Sequence, residues 1–204
     1  RDTLTKQLDG VLDDMVRDTR WRLHWEELKR AKKEITLELY LNKIEFGNNA
    51  YGIQAAAQTY FGTSAINLSV LQSSILASIP KWPSAYNPYT HRANTIWNLK
   101  VVDSEWVEYS FSNTWLKNEI ESKLKEVMNK ADFSSKKDYS SFSKYLAWLI
   151  NFSIYVDGKK YDVTYGVWRK DLVLCRMFED DYITQDELKQ ALLEWFTIEL
   201  HRIS

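Results

Sequence analysis

The chain is short of residues that interrupt helices: six Gly and three Pro in 204 residues. That scarcity excludes a collagen-like chain, a Gly/Ser linker protein and a many-turned β-sandwich, and it predicts long helices. Cysteine is almost absent too. Cys175 stands alone, so no internal disulfide can form and the redox compartment is not readable. The three histidines, His24, His91 and His201, are too far apart for a Cys/His metal-ligand spacing. No run of about 18 apolar residues occurs, which excludes a transmembrane helix by hydropathy. A net charge of -1 removes the whole-molecule electrostatic case for nucleic acid.

What is present is globular in composition, with 45% hydrophobic and 27% charged residues. The length suits one domain, or one domain carrying a large insertion. The few breakers cluster. Gly47, Gly52 and Gly62 lie close together, and Pro80, Pro83 and Pro88 follow. One central window therefore holds most of the unusual backbone and is the first place to look for function. Arg1 rather than Met opens the sequence, the expectation for a chain that is processed, excised or a piece of something longer.

Helical spacing of Leu4, Leu8, Leu12 and Met15, and then an apolar set from Ile35 to Leu41, predicts helix from Thr3 to about Lys43. The basic stretch between them, Arg17 to Lys33, is either a solvated helix face or a site for an anionic group such as pyrophosphate. Ala50–Phe61 reads as an alanine-rich helix closed by Gly62. Ser69 with Gln72 is a capping-box pattern opening a helix that Pro80 stops near Ile79. Pro80 to Pro88 then reads as an extended, stiff loop, either a groove wall or a connector.

Beyond it, Leu116, Ile120, Leu124 and Val127 predict an amphipathic helix with Glu121 and Lys125 paired. A further helix is expected over Phe142–Leu149. Phe152, Ile154 and Val156, the turn Asp157-Gly158, and Tyr161 and Val163 predict a β-hairpin with Ile154 facing Tyr161 and Phe152 facing Val163. Arg169–Asp180 is helical, and Thr184 with Glu187 caps a last helix bearing Leu188, Ala191, Leu192, Trp195 and Phe196.

Three stretches carry a family resemblance. Glu34-Ile35-Thr36-Leu37-Glu38-Leu39-Tyr40-Leu41-Asn42, followed by Phe46-Gly47-Asn48-Asn49-Ala50-Tyr51-Gly52-Ile53-Gln54-Ala55-Ala56-Ala57 and Tyr60-Phe61-Gly62, is the first. Leu76-Ala77-Ser78-Ile79-Pro80-Lys81-Trp82-Pro83-Ser84-Ala85-Tyr86-Asn87-Pro88 is the second, and Val173 to Thr184 the third. Together they resemble the peptidoglycan glycosyltransferase domain (family 51) of class A penicillin-binding proteins and monofunctional transglycosylases. The likeness is closest over residues 33–92, weaker over 168–195 and faint over 2–32. Residues 93–167 lie outside it.

The resemblance implies a mainly α, lysozyme-like glycosyltransferase fold, with the β-hairpin in an inserted segment. It divides the chain into a partial glycosyltransferase domain (1–92), an insertion (93–167) and C-terminal helices of the same domain (168–204). It implies an enzyme that polymerises lipid II on the outer face of the cytoplasmic membrane. A glutamate general base activates the acceptor hydroxyl, undecaprenyl pyrophosphate leaves, and the linkage inverts. The partners implied are lipid II, the growing glycan chain, the membrane surface, and a transpeptidase domain or divisome and elongasome proteins. No certain cofactor is implied, and a divalent cation (Mg or Mn) is left open.

The sequence departs from the family pattern in its first half. The motif that supplies the general base, Glu-Asp followed by aromatic, His and Gly residues, does not occur in this chain. Thr3-Leu4-Thr5-Lys6-Gln7-Leu8 stands where the second motif is expected, with Gly10 where a lysine belongs. Glu26 is the nearest candidate for the second acid. The family therefore implies Gln7, Tyr40, Asn42, Lys81, Ser84, Tyr86 and Asn87 as substrate-binding candidates, and Gly47, Gly52 and Gly62 as structural ones. Glu38 is expected to be a buried, hydrogen-bonded structural carboxylate rather than a catalyst, and Glu34 is likewise not expected to be the catalyst. Trp82 is read as a core plug or an anchor at the bilayer interface. The chain alone is expected to be inactive, and a non-catalytic binding or scaffold module that keeps the fold is the alternative.

Overall fold

The computed structural model describes residues 22–110 and 114–201. Two compact units divide the chain, residues 1–43 and 44–204. In the first, helix α1 spans Arg22–Leu41. Ile35 and Leu39 stand one turn apart, and Leu37 and Leu41 share a different side, so its apolar residues form no single stripe. Its residues from Lys29 to Tyr40 are all exposed. Glu38 is exposed with them, which corrects the expected buried carboxylate, and so is Glu34: over residues 29–40 water reaches every side of the helix, so its acids stay hydrated. Gln7 lies outside the described residues, as does the side chain of Glu26.

The second unit opens with α2 (Ile53–Phe61) and α3 (Val70–Ser78). Gly62 ends α2 in the left-handed conformation at φ 64; its N–H donates to the Gln58 carbonyl (3.0 Å) and the Thr63 N–H to the Ala57 carbonyl (3.4 Å). Ser69 and Gln72 form the expected capping box at the start of α3. α3 is apolar on more than one side and is buried accordingly. It sends Leu71 and Ile75 into the larger core, and Leu76 into a smaller one with Phe46, Ala56, Ala57, Tyr60 and Ile79. Its buried Ser74 and Ser78 donate to the carbonyls of Leu71 and Ser74, so neither hydroxyl is orphaned.

The short helix α4 (Arg92–Thr95) leads into strands β1 (Leu99–Asp103) and β2 (Glu108–Tyr109). Helices α5 (Thr114–Lys130) and α6 (Tyr139–Leu149) follow, then strands β3 (Asn151–Val156) and β4 (Lys159–Tyr165). Helices α7 (Arg169–Glu179) and α8 (Gln185–Glu194) close the described chain. The fold is mainly α with one small antiparallel sheet, ordered β2-β1-β4-β3.

The β3–β4 hairpin has the register expected from the sequence: Ile154 faces Tyr161 and Phe152 faces Val163. Asp157 and Gly158, at φ 51 and 76, make its two-residue turn. The sequence reading had no β1 or β2. β1 pairs with β4 from Leu99↔Tyr165 to Asp103↔Tyr161. Most of the β1 pairing is with a partner some sixty residues away, and the nearby β2 matches it over only two pairs, Val101↔Tyr109 and Val102↔Glu108, too short for an alternating pattern to show.

Residues 93–167 form no core of their own. Leu116, Ile120 and Leu124 of α5, Phe142 and Leu146 of α6, and Val163 of β4 share one core with Leu71 and Ile75 of α3 and Leu174 of α7. Truncating one of these fully buried aliphatic side chains to Ala costs about 2–5 kcal/mol. Thr184 and Glu187 cap α8 as expected, and the Glu121–Lys125 pair is present at 3.0 Å. No described helix is long and apolar enough to cross a membrane.

Candidate functional site

The clustered glycines and prolines of the sequence meet in the second unit. Gly47, Asn48 and Asn49 take positive φ in succession, at 74, 51 and 58. Asn tolerates that region better than other side-chain-bearing residues because its short amide bonds locally. The result is a tight loop in which the Phe46 N–H donates to the Ala50 carbonyl (2.8 Å) and the Ala50 N–H to the Gly47 carbonyl (2.9 Å). Below it the Gly52 N–H donates to the Ile44 carbonyl (2.9 Å), and Glu45 bridges to Tyr51. Gly52 then opens α2 at φ 86.

Tyr60, near the end of α2, holds this loop from beneath. Its hydroxyl donates to the Phe46 carbonyl (2.7 Å) and accepts from Asn48 Nδ2 (3.2 Å). Burial pushes the phenol up to about 12, the neighbouring Tyr89 adds to the rise, and the Asn48 donor partly opposes it. Tyr60 is thus a neutral hydrogen-bonding post. Tyr89 stacks on it with ring centroids 5.3 Å apart. The Tyr89 hydroxyl lies 2.6 Å from the carbonyls of both Thr59 and His201. The His201 N–H in turn donates to the Tyr60 carbonyl (2.8 Å).

The Pro80–Pro88 stretch is not the extended loop expected. Ile79–Lys81 is a 3₁₀ turn with proline near its start, where no N–H donor is needed. Further turns follow, with the Ala85 and Tyr86 N–H groups both donating to the Trp82 carbonyl at 3.0 Å. Proline fixes φ near a value that turns share with extended chain, so composition alone does not separate the two. Trp82 is 62% exposed, which excludes the core plug. Lys81 and Ser84 are exposed.

Asn87 faces inward instead. It is buried, its Nδ2 donates to Asn48 Oδ1 (3.2 Å), and its Oδ1 accepts from the Tyr89 N–H (2.9 Å). Tyr86, half-buried, meets the Trp168 ring edge-on at 6.0 Å. The structure therefore brings Gly47, Tyr86 and Asn87 to one place. Tyr40, 54% exposed, and Asn42 belong to the α1 unit, where the Asn42 N–H closes the helix on the Glu38 carbonyl (3.0 Å). Gly62 lies at the other end of α2, where a Cβ would stand 2.8 Å from His201 Nδ1.

Trp168 leads into α7, whose first turn is pinned by a buried polar group. Lys170 and Asp171 form an ion pair at 2.6 Å with both side chains almost wholly buried. Tyr165 donates to Asp171 Oδ2 (2.7 Å) and accepts from Lys170 Nζ (2.8 Å), and the Trp168 N–H donates to the same carboxylate oxygen (2.9 Å). Burial first, then the Asp171 charge, holds the Tyr165 phenol well above its ordinary value. Nearby, Trp168 Nε1 and Arg169 Nε are buried with no hydrogen-bond partner among the described residues.

Sequence reasoning missed Asn48, Tyr60, Tyr89 and Trp168 as organisers of this site. A signal existed for Asn48, since consecutive Asn residues after a glycine favour left-handed backbone. None existed for the two tyrosines and the tryptophan, whose partners are remote in sequence. Among the described residues no three His, Cys, Asp or Glu side chains group to hold a metal ion.

A tight Asn-rich loop, an inward Asn from a proline-bounded segment and a tyrosine post between them are built from the stretches that carry the family likeness. The Transglycosylase family model matches residues 3–105, just over half of the chain. The chain belongs to that family. It is 31% identical over 163 residues to penicillin-binding protein 1A of Aquifex aeolicus, covering 79% of this chain and 21% of that protein. It is 42% identical over 96 residues to penicillin-binding protein 2D of Bacillus subtilis, covering 44% of this chain and 14% of that protein. Over 60 residues it is 50% identical to penicillin-binding protein 1A of Pseudomonas aeruginosa, covering 29% of this chain and 7% of that protein. The chain thus spans about a fifth or less of the length of these relatives.

Proposed function

We propose that this chain is part of a peptidoglycan glycosyltransferase that polymerises lipid II at the outer face of the cytoplasmic membrane. The observation that carries this reading is the Asn87–Asn48–Tyr60 network, which locks two family stretches into one surface. In this reading the network is scaffold, not catalyst. It fixes the backbone that presents Lys81, Ser84 and Tyr86. Lys81 supplies a cation for the pyrophosphate as negative charge builds on the leaving group. Sugar hydroxyls fall to Ser84 and Tyr86.

The base that deprotonates the acceptor hydroxyl belongs to a motif this sequence does not contain. The reading therefore assigns it to a part of the parent protein outside these 204 residues. Lipid II polymerisation by the parent protein tests the reading. Asn87→Ala should lower the rate by about 100-fold through misplacement of the surface, and Lys81→Ala should do so without unfolding the protein. Failure of the unaltered parent protein to form glycan strands overturns the enzymatic reading in favour of a binding module that keeps the fold.

A further inference from the structure

We propose that two copies of this chain pair through the outer edge of β3, joining their sheets into one antiparallel sheet across a two-fold axis. Among the described residues β3 is an edge strand, hydrogen-bonded only to β4. The two-residue turn makes Val156 and Lys159 the hydrogen-bonded pair that closes the hairpin. Bonded and non-bonded pairs then alternate along the register. Phe152, Ile154 and Val156 therefore direct their backbone groups towards β4. Asn151, Ser153 and Tyr155 direct theirs outward, and no backbone hydrogen bond within the described chain reaches them.

Exposed edges are normally blunted by charge, proline, bulges or brevity. β3 reads Asn-Phe-Ser-Ile-Tyr-Val, six residues with no charge and no proline, in unbroken register. The opposite edge, β2, is two residues long and includes Glu108. The sheet is therefore guarded at one edge and open at the other.

A second copy fits the open edge because its bonding pattern is self-complementary. If Ser153 lies opposite Ser153 of the other copy, Asn151 falls opposite Tyr155, and each of these pairs is an outward-directed one that can hydrogen-bond across the seam. One apolar face continues across the seam, with Phe152 of each copy beside Ile154 of the other. A groove of about 300 Å³ runs along this edge, walled by Glu119, Lys123 and Glu126 of α5. That wall carries both signs, with Lys123 paired to Glu126 at 3.1 Å, so a second copy turned through the two-fold meets no field of one sign.

Light scattering of the whole chain and a cysteine cross-link test this together. The native Cys175 is buried, so a new surface thiol reports alone. In Ser153→Cys the two thiols meet at the two-fold, and mild oxidation should give a covalent dimer at least tenfold faster than in the exposed-loop control Ser135→Cys. Ser153→Pro removes an outward N–H that β4 does not use, and it should convert a dimer at about 100 μM into a monomer. Equal cross-linking of the two cysteine variants overturns the proposal, even if Ser153→Pro unfolds. So does a monomeric unaltered chain, or a dimer that a folded Ser153→Pro variant leaves intact.

Discussion

The side chain of Asn87 donates to Asn48 Oδ1 across 3.2 Å, joining residues 39 apart in sequence. Asn87 Oδ1 also accepts from the Tyr89 N–H, and Asn48 Nδ2 donates to Tyr60. One buried amide thus ties a left-handed loop to a proline-bounded turn. Replacing Asn87 with Ala leaves partners short of a donor and an acceptor, which costs about 1–3 kcal/mol. Asn48→Ala should cost less, because Asn48 is exposed. The double variant should fall short of the sum by about 0.5–1.5 kcal/mol, the mark of shared partners. Denaturant unfolding of the four proteins measures it, and strict additivity would contradict the network.

Three glycines should separate by what surrounds them. At Gly47, φ is +74 and an added Cβ would lie 3.3 Å from the Tyr60 hydroxyl. At Gly62, φ is +64 and a Cβ would lie 2.8 Å from a ring nitrogen of His201. Gly158 also has φ +76, yet nothing stands within 4 Å of its Cβ position. Ala at Gly47 or Gly62 should cost about 1–2 kcal/mol for the left-handed backbone alone, with crowding added. Gly158→Asn should cost less than either, since Asn adopts the conformation. Thermal melts of the three variants give the ranking.

The buried Lys170–Asp171 pair predicts an asymmetry. Asp171→Ala strands the Lys170 ammonium in the core and should destabilise by about 3–5 kcal/mol. Tyr165→Phe keeps the ion pair and removes one hydroxyl, so it should cost nearer 1–3 kcal/mol. If the two variants unfold at the same denaturant concentration, the carboxylate is not the centre of this group.

Stability should fall at both ends of the pH scale for different residues. Tyr60 is raised from 10.0 to about 12 in the folded chain. The unfolded chain therefore loses its proton first, and the stabilisation is whole below pH 10 and declines as pH rises towards 12. Tyr60→Phe should flatten that alkaline decline. Asp103 is opposite in sign. Its carboxylate accepts from Lys159, Tyr109 and the N–H groups of Val107 and Glu105, which holds its pKa well below the ordinary 3.8. Its contribution is present above 3.8 and is lost as pH falls below that value. Asp103→Asn should remove this part of the acid transition. Unfolding monitored between pH 2 and 12 distinguishes the two.

Much of the fold was legible in the sequence, for local reasons. Capping boxes at Ser69 and Thr184, the Gly62 stop and the Asp157-Gly158 turn each act within four residues, so they are written in consecutive side chains. The three-and-four spacing of Leu116, Ile120 and Leu124 reported a buried face because one core lies along one side of α5. β1 was not legible, since its pairing with β4 spans some sixty residues. The Pro80–Pro88 turns were misread as extended because proline restricts φ without choosing between the two.

The site divides in the same way. By itself the sequence determined the family, the stretches that matter and the absence of the usual base motif, because these are properties of residue order. Only the tertiary structure decided that Asn87 turns inward as a tie while Lys81 and Ser84 stay exposed. The direction of a side chain from a turn depends on what the rest of the chain packs against it. Here that is Tyr60 from α2, Tyr89 stacked upon it and the Asn48 loop between them, partners that no local pattern in the sequence brings together.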